Sequence, residues 1–183
     1  MYSDSCTWRT IMKKGFIEVI CGDGKGKTSL ALGQSLRACA KQKSVIIIQF
    51  LKGKEKGELS WLAGTELDIK FFRFEKSEQY FEELTQQEKE EQKGNIRNGL
   101  NYARKVIATH ECDVLLLDEI LGLPQHGIAT CEEINEILKI NKSDMQIILT
   151  GRRLPEEMRE YVDAVTTVDT EYLSEICVDK ESE

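Results

Sequence analysis

The chain has 183 residues, 40% of them hydrophobic and 31% charged, and its formal net charge is −7. These values are typical of one soluble domain with a buried core, and the acidic balance argues against nucleic acid or an anionic membrane as the main partner. No stretch is long and apolar enough to span a bilayer. The six cysteines form no C-x-x-C pair of the kind found in zinc knuckles and dithiol redox centres. We therefore expect a cytoplasmic protein, since free cysteines suit a reducing compartment.

Residues 1–14 are interpreted as a flexible leader, because no apolar segment typical of a signal peptide follows them. Residues 15–183 are interpreted as a single domain. The predicted strands are short apolar runs that cover residues 16–21, 45–50, 69–74, 114–117, 146–150 and 164–168. Strands that alternate with helices predict an α/β fold with a mainly parallel sheet and helices on both faces.

Helix-like segments separate the predicted strands and cover residues 28–41, part of 78–108, 130–140 and a short stretch that begins at Pro155. In the first of them, Leu30, Leu36 and Ala40 are expected to lie on the apolar stripe that faces the sheet. Thr130 with Glu133 has the spacing of a capping box and predicts the start of the third helix.

A glycine-rich loop joins the first predicted strand to the first predicted helix, with the sequence Gly22-Asp23-Gly24-Lys25-Gly26-Lys27-Thr28. Glycines allow successive backbone N–H groups to converge on one anion, and the positive end of the following helix favours the same anion. Lys27 adds a positive charge, and the Thr28 hydroxyl is a candidate ligand for Mg²⁺. The general nucleotide-binding motif begins with glycine, whereas Cys21 occupies that position here. The loop therefore predicts a specialised phosphate site.

A second chemical feature is the apolar run at residues 114–117, which ends in Asp118 and Glu119. In parallel α/β sheets the ligand lies at the carboxyl edge of the strands. The first strand delivers the phosphate loop to that same edge. We therefore expect one of the two carboxylates to reach the Mg²⁺ held by Thr28, directly or through water.

Four motifs occur in an order that resembles one known family. They are Gly22-x-Gly24-Lys25-Gly26-Lys27-Thr28, Gln49-Phe50-x-Lys52-Gly53, Leu116-Leu117-Asp118-Glu119 and Thr150-Gly151-Arg152. Together they resemble the ATP:corrinoid adenosyltransferases, over about residues 16–168. The resemblance implies a P-loop NTPase fold of the RecA-like type, with three layers.

The resemblance also implies the reaction. Co(I) of a reduced corrinoid, such as cob(I)alamin or cob(I)yrinic acid a,c-diamide, attacks the 5′-carbon of ATP, and triphosphate leaves without a general base. Catalytic roles fall to Lys27, Thr28 and Glu119, and the Mg²⁺ or Mn²⁺ ligands are Thr28, Asp118 and Glu119. The nucleotide-binding set is Gly22, Asp23, Gly24, Lys25, Gly26, Lys27, Thr28, Ser29, Gln49, Lys52 and Arg152. Lys52 is equally compatible with a solvated loop lysine.

In the family, aromatic side chains after the third strand close over the corrinoid. The corresponding candidates here are Phe72, Phe74, Tyr80 and Phe81. Phe72 and Phe74 fit a core-facing strand equally well, whereas Tyr80 and Phe81 lie among Glu and Gln residues and are the better lid candidates. Two histidines, His110 and His126, are interpreted as surface or structural residues.

The chain departs from the best-known members after Glu119 and at its short end, residues 178–183. Two other functions therefore stay open. One is a RecA-like P-loop ATPase or kinase that cleaves the γ-phosphate, and the other is a non-catalytic paralogue that binds ATP or a corrinoid. For the adenosyltransferase, the resemblance implies a homodimer and a flavoprotein or other reductant as partner.

Overall fold

A computed structural model describes residues 15–51, 66–74, 76–77, 79, 81–141 and 144–173. Three of the sequence-based predictions fall outside the described residues: the leader at 1–14, the candidate site residues Lys52 and Tyr80, and the short end of the chain beyond residue 173.

The described residues contain one six-stranded sheet with the order β3-β2-β4-β5-β1-β6. Every neighbouring pair of strands is parallel, which confirms the predicted fold class. The strands, in chain order, are β1 (Ile17–Cys21), β2 (Val45–Gln49), β3 (Ile69–Arg73), β4 (Val114–Asp118), β5 (Gln146–Thr150) and β6 (Ala164–Thr167). All residues of β2 and β4 are buried, as expected for central strands covered on both faces.

One face of the sheet is covered by α1 (Lys27–Cys39). The predicted stripe is confirmed at Leu36, which is partly buried and packs against the core. It is wrong at Leu30, which is 39% exposed, and at Ala40, which lies on the surface beyond the end of the helix. The buried residues are the small ones, Ala31, Ser35 and Ala38. Small side chains allow a helix backbone to lie close to the strands, and the larger Leu32 and Leu36 pack partly buried at the sides of this contact.

The other face is covered by α2 (Gln86–Thr109) and α3 (Cys131–Leu138). Both begin at capping boxes, formed by Thr85 with Glu88 and by Thr130 with Glu133. The second of these was predicted. Short 3₁₀ segments at Phe81–Glu83, Ile120–Gly122 and Glu156–Tyr161 join the larger elements.

Some element boundaries differ from the predictions. Helix α3 ends at Leu138 rather than near residue 140. Pro155 lies in the position before the 3₁₀ segment Glu156–Tyr161, and is not its first helical residue. No helix in the described part of the chain combines the length and hydropathy needed to cross a membrane.

Strand order decides which residues meet at the carboxyl edge of the sheet. β5 lies between β1, which leads into the phosphate loop, and β4, which ends in Asp118. On the other side of β4, β2 and β3 bring Gln49 and Arg73 to the same level as Asp118, because the register pairs Gln49 with both residues. This edge therefore gathers the ends of five strands beside the start of α1.

Candidate active site

The phosphate loop uses its glycines in two different ways. Gly26 has φ = 100° and no atom within 4 Å of where a Cβ would lie, so glycine is required there by the backbone conformation. Gly24 is constrained by crowding instead, and Gly22 by both effects, since it has φ = 118° as well as close neighbours. A Cβ on either residue would come within 2.6 Å of the carbonyl oxygen of Val168.

The chain that follows β6 forms one wall of this loop. The N–H of Gly24 donates to the carbonyl of Val168 at 2.9 Å, and the N–H of Lys25 donates to the hydroxyl of Thr170 at 2.9 Å. Sequence reasoning missed this contact, because the residues involved are separated by 145 positions. The crowding shows why Gly22 and Gly24 are glycines even before a phosphate is considered.

The start of α1 differs from the starts of α2 and α3. In the described part of the chain no side chain caps α1 at Gly26, and its first turn contains no acidic residue. The first N–H groups of a helix lack partners within the helix, and together with the helix dipole they favour an anion. Lys27 adds its ammonium group, which donates to the carbonyl of Gly24 at 2.8 Å. This end of the helix is suited to a phosphate.

Asp118 is the centre of the hydrogen bonding at the carboxyl edge and is fully buried. Its Oδ1 accepts from the Thr28 hydroxyl at 2.9 Å and from the Thr150 hydroxyl at 2.7 Å. Its Oδ2 accepts from the amide of Gln49 at 2.8 Å. Three donors on two oxygens hold the carboxylate in one orientation. The structure thus joins the phosphate loop to the acidic strand, as the sequence predicted.

Glu119 follows Asp118 with φ = 61° and ψ = 19°, an uncommon conformation for a residue other than glycine. Its N–H donates to the Thr150 hydroxyl at 2.8 Å. Unlike Asp118, its side chain is only partly buried. Thr150 therefore holds both acidic residues, a role that was not assigned to it from the sequence.

The donor set around Thr28 suits Mg²⁺, which prefers oxygen ligands and commonly uses one or two carboxylates with waters and phosphates. The Thr28 hydroxyl and the Asp118 carboxylate, 2.9 Å apart, supply such oxygens, and Glu119 is the next residue in the chain. Across the ranges that the structure describes, no group of three or more His, Cys, Asp or Glu side chains is placed to hold a metal. Metal binding by Thr28, Asp118 and Glu119 stays a prediction.

Two further predicted nucleotide ligands have other neighbours in the structure. Gln49 is 1% exposed, and its amide lies between Asp118 and the guanidinium of Arg73, which donates to the Gln49 Oε1. The backbone carbonyl of Arg152 accepts from the N–H of Gly22 at 2.9 Å, while the Arg152 side chain is exposed beside the loop. Direct contact of either residue with a nucleotide stays a prediction. Arg73 was not assigned to the site from the sequence, because its only signal was that it is an arginine at the end of a strand.

The aromatic candidates contact α2 and the loop after β4. Phe72 and Phe74 pack on Tyr102, with ring centroids 4.7 and 5.9 Å apart. Phe81 is 5% exposed and meets the ring of His126 edge-on at 5.1 Å. Phe72 and Phe74 thus pack against the core, and the corrinoid role of all three residues stays a prediction.

Three of the four described cysteines have raised pKa values. Burial raises the pKa of Cys112 to about 12, and burial also raises the pKa values of Cys39 and Cys131. A raised pKa keeps these groups as thiols near neutral pH, and the thiolate is the nucleophilic form. Cys21, beside the phosphate loop, is buried in the core.

Comparison with known proteins identifies the family. A family model described as ATP:corrinoid adenosyltransferase BtuR/CobO/CobP matches residues 13–172. A corrinoid adenosyltransferase of Escherichia coli is 29% identical over 157 residues, which cover 84% of this chain and 76% of the relative. The corrinoid adenosyltransferase CobA of Salmonella typhimurium is 26% identical, with the same coverage.

A solved structure shows the same fold at lower sequence identity. A KaiC-like protein of Pyrococcus horikoshii has a TM-score of 0.54 and 14% identity, over 88% of this chain and 75% of that one. The family model spans most of the domain and includes the phosphate loop, the acidic strand and the residues after β5. The chain therefore belongs to the ATP:corrinoid adenosyltransferase family.

Proposed function

We propose that this chain transfers the 5′-deoxyadenosyl group of ATP to the Co(I) centre of a reduced corrinoid and releases triphosphate. The observation that carries the proposal is the 2.9 Å hydrogen bond between Thr28 and Asp118. It joins a phosphate loop to a buried carboxylate in a chain of this family.

The reaction forms a cobalt–carbon bond as the bond between C5′ and its phosphate oxygen breaks. Both electrons of the new bond come from Co(I), which becomes formally Co(III), and the electrons of the broken bond leave with triphosphate. Negative charge therefore grows on the leaving group. Fixed donors placed where charge develops lower the barrier most effectively.

The residues of the loop supply such donors. The N–H groups at the start of α1 and the ammonium of Lys27 would face the triphosphate, with Lys27 exchanging the carbonyl of Gly24 for a phosphate oxygen. Thr28, Asp118 and Glu119 would hold Mg²⁺ or Mn²⁺. When bound, the metal neutralises part of the charge on the leaving group. Asp118 keeps the Thr28 hydroxyl in place.

The corrinoid acceptor and the partners belong to the proposal as well. Cob(I)alamin and cob(I)yrinic acid a,c-diamide are the two acceptors to compare. Phe72, Phe74, Tyr80 and Phe81 are the candidate corrinoid contacts. A flavoprotein or other reductant would deliver Co(I), and two chains would form a homodimer.

The decisive test is an anaerobic assay with ATP, Mg²⁺ and chemically reduced cob(I)alamin. The cobalt–carbon product is followed by its visible spectrum, and triphosphate is measured in the same sample. Adenosylated product and triphosphate in equal amounts support the proposal. ADP with phosphate and no alkylated cobalt would instead identify an ATPase, and ATP binding without either product would identify a non-catalytic paralogue.

A further inference from the structure

Three residues at the carboxyl edge form a row across neighbouring strands. Arg73 ends β3, Gln49 ends β2 and Asp118 ends β4, and the parallel register pairs Gln49 with each of the other two. The row lies on the α1 face of the sheet, because residues two positions earlier, such as Ile47 and Leu116, pack in the same cluster as α1. Hydrogen bonds connect the row from end to end.

The hydrogen-bonding chemistry of the row allows only one orientation of the Gln49 amide. A guanidinium only donates hydrogen bonds, and an ionised carboxylate only accepts them. The amide of Gln49 lies between the two, so its oxygen must face Arg73 and its nitrogen must face Asp118. Arg73 thereby fixes the orientation of the Gln49 amide. The guanidinium of Arg73 also lies over the ring of Phe71 on the same strand, with its carbon 5.8 Å from the ring centroid.

The row continues into the phosphate loop through Asp118. Two hydroxyls share its Oδ1, those of Thr28 and Thr150, while the Gln49 amide holds Oδ2. Without the amide, Oδ2 of the carboxylate would lose a donor that restricts its rotation. The Thr28 hydroxyl would then lose a fixed acceptor.

We propose that Arg73 is a positioning residue for the nucleotide and its metal, and that it acts through Gln49 and Asp118 on Thr28. The guanidinium of Arg73 donates to Gln49, and β2 separates the strand of Arg73 from β4. Phe72 of the same strand and Phe74 just after it lie on the opposite face of the sheet, so the row connects the β3 end of the edge to the phosphate end. The positioning role rests on the proposed function, because it serves adenosyl transfer from ATP. The proposal itself concerns only the binding of ATP and Mg²⁺.

The test measures ATP binding by calorimetry, with Mg²⁺ and with a chelator, for wild type, Arg73→Met and Arg73→Lys. We expect Mg²⁺ to strengthen ATP binding by the wild type. We call the ratio of the Kd for ATP in chelator to the Kd for ATP with Mg²⁺ the Mg²⁺ gain. In Arg73→Met this ratio should fall roughly tenfold, the scale found for groups that orient metal ligands. The Kd for ATP in chelator should change little. Arg73→Lys keeps a donor and should recover part of the gain. Lys70→Met is the matched control, since Lys70 is an exposed residue of β3 outside the row, and it should behave as wild type.

A double-mutant cycle tests the route. If Arg73 acts through the amide, Arg73→Met should add nothing to Gln49→Met. Additive losses would show that Arg73 acts by another path. An unchanged Mg²⁺ gain in folded Arg73→Met, an equal loss in Lys70→Met, or a wild type without any Mg²⁺ gain would each overturn the proposal. If Arg73→Met fails to fold, the comparison of Arg73→Lys with Lys70→Met decides in the same way.

Failure of the proposed function can be distinguished from failure of the positioning role, because the two are measured by different experiments. A wild type that binds ATP with a Mg²⁺ gain, and loses it in Arg73→Met, supports the row even if no adenosylated corrinoid forms.

Discussion

At the phosphate end of the carboxyl edge, the contacts between elements are hydrogen bonds from backbone N–H groups and hydroxyls, all directed at fixed acceptors. At the β3 end Arg73 donates to Gln49 on the α1 face, but the aromatic candidates on the other face make contacts between rings, such as Phe72 on Tyr102 and Phe81 on His126. Hydrogen bonds depend steeply on angle, whereas ring pairs tolerate a wider range of geometries. The two ends should therefore respond differently to substitution.

The difference between hydrogen bonds at one end and ring contacts at the other suits the two substrates of the proposed reaction. Triphosphate is a compact anion that needs donors at fixed points. A corrinoid is a broad, largely apolar macrocycle, for which aromatic surface suffices. Single substitutions at the phosphate end should consequently cause large losses, and those at the aromatic end graded ones.

The largest effect is expected for Lys27→Ala. Removal of the ammonium takes away the charge that would face the leaving triphosphate, so kcat/KM should fall roughly 100-fold or more. Triphosphate release in the anaerobic assay measures it, and thermal unfolding shows whether the fold survives. Lys41→Ala removes a lysine on the surface beyond α1 and serves as control. Wild-type turnover by Lys27→Ala would show that the phosphate site lies elsewhere.

The second largest effect is expected on the free energy of unfolding of Gly24→Ala. Gly24→Ala would place a Cβ 2.6 Å from the backbone of Val168 and Asp169, and overpacking of this kind costs about 1–3 kcal/mol. Gly33→Ala is the matched control, because Gly33 lies in α1 with no atom near its Cβ position. That change should stabilise by about 0.5–1 kcal/mol, as alanine is favoured over glycine within a helix. Urea unfolding of both variants measures the difference, and equal stabilities would mean that the segment after β6 does not pack on the loop.

These contrasts explain how far the sequence could be interpreted. The phosphate loop lies in one stretch of chain, and an apolar run that ends in acids marks the end of a strand, so both could be located without a structure. The fold class followed from alternating elements. The α1 stripe was right at Leu36 and wrong at Leu30 and Ala40, because the closest contact with the sheet is made by the small residues Ala31, Ser35 and Ala38.

Other parts of the site depend on tertiary pairing. Thr150 and Arg73 join it only because the strand order and register bring them beside Asp118 and Gln49. Nothing local in the sequence specifies that register. Thr170 reaches Lys25 in the same way, through the position of β6 beside β1.

A smaller effect is expected for Glu119→Gln. The change keeps the size of the side chain but removes the charge that would act on the metal, so the Mg²⁺ concentration needed for half-maximal activity should rise roughly tenfold. Glu132→Gln is the control, since Glu132 is an exposed residue of α3. The measurement is a Mg²⁺ titration at saturating ATP. An unchanged titration would remove Glu119 from the metal site and leave that role to Asp118 and Thr28.

The smallest effect is expected at the aromatic end. Phe81→Leu keeps an apolar group but loses the edge-on contact with His126, which is worth about 0.5–1.5 kcal/mol. If the same surface meets the corrinoid, KM for the corrinoid should rise roughly two- to tenfold, while KM for ATP stays at the wild-type value. Tyr161→Leu, at a half-buried aromatic that contacts Lys139, is the control for a general loss of packing. A rise in both KM values would mean that the two ends are not separate. An unchanged KM for the corrinoid would restrict Phe81 to a role in the core, because a hydrophobic contact made only within the protein does not depend on the substrate.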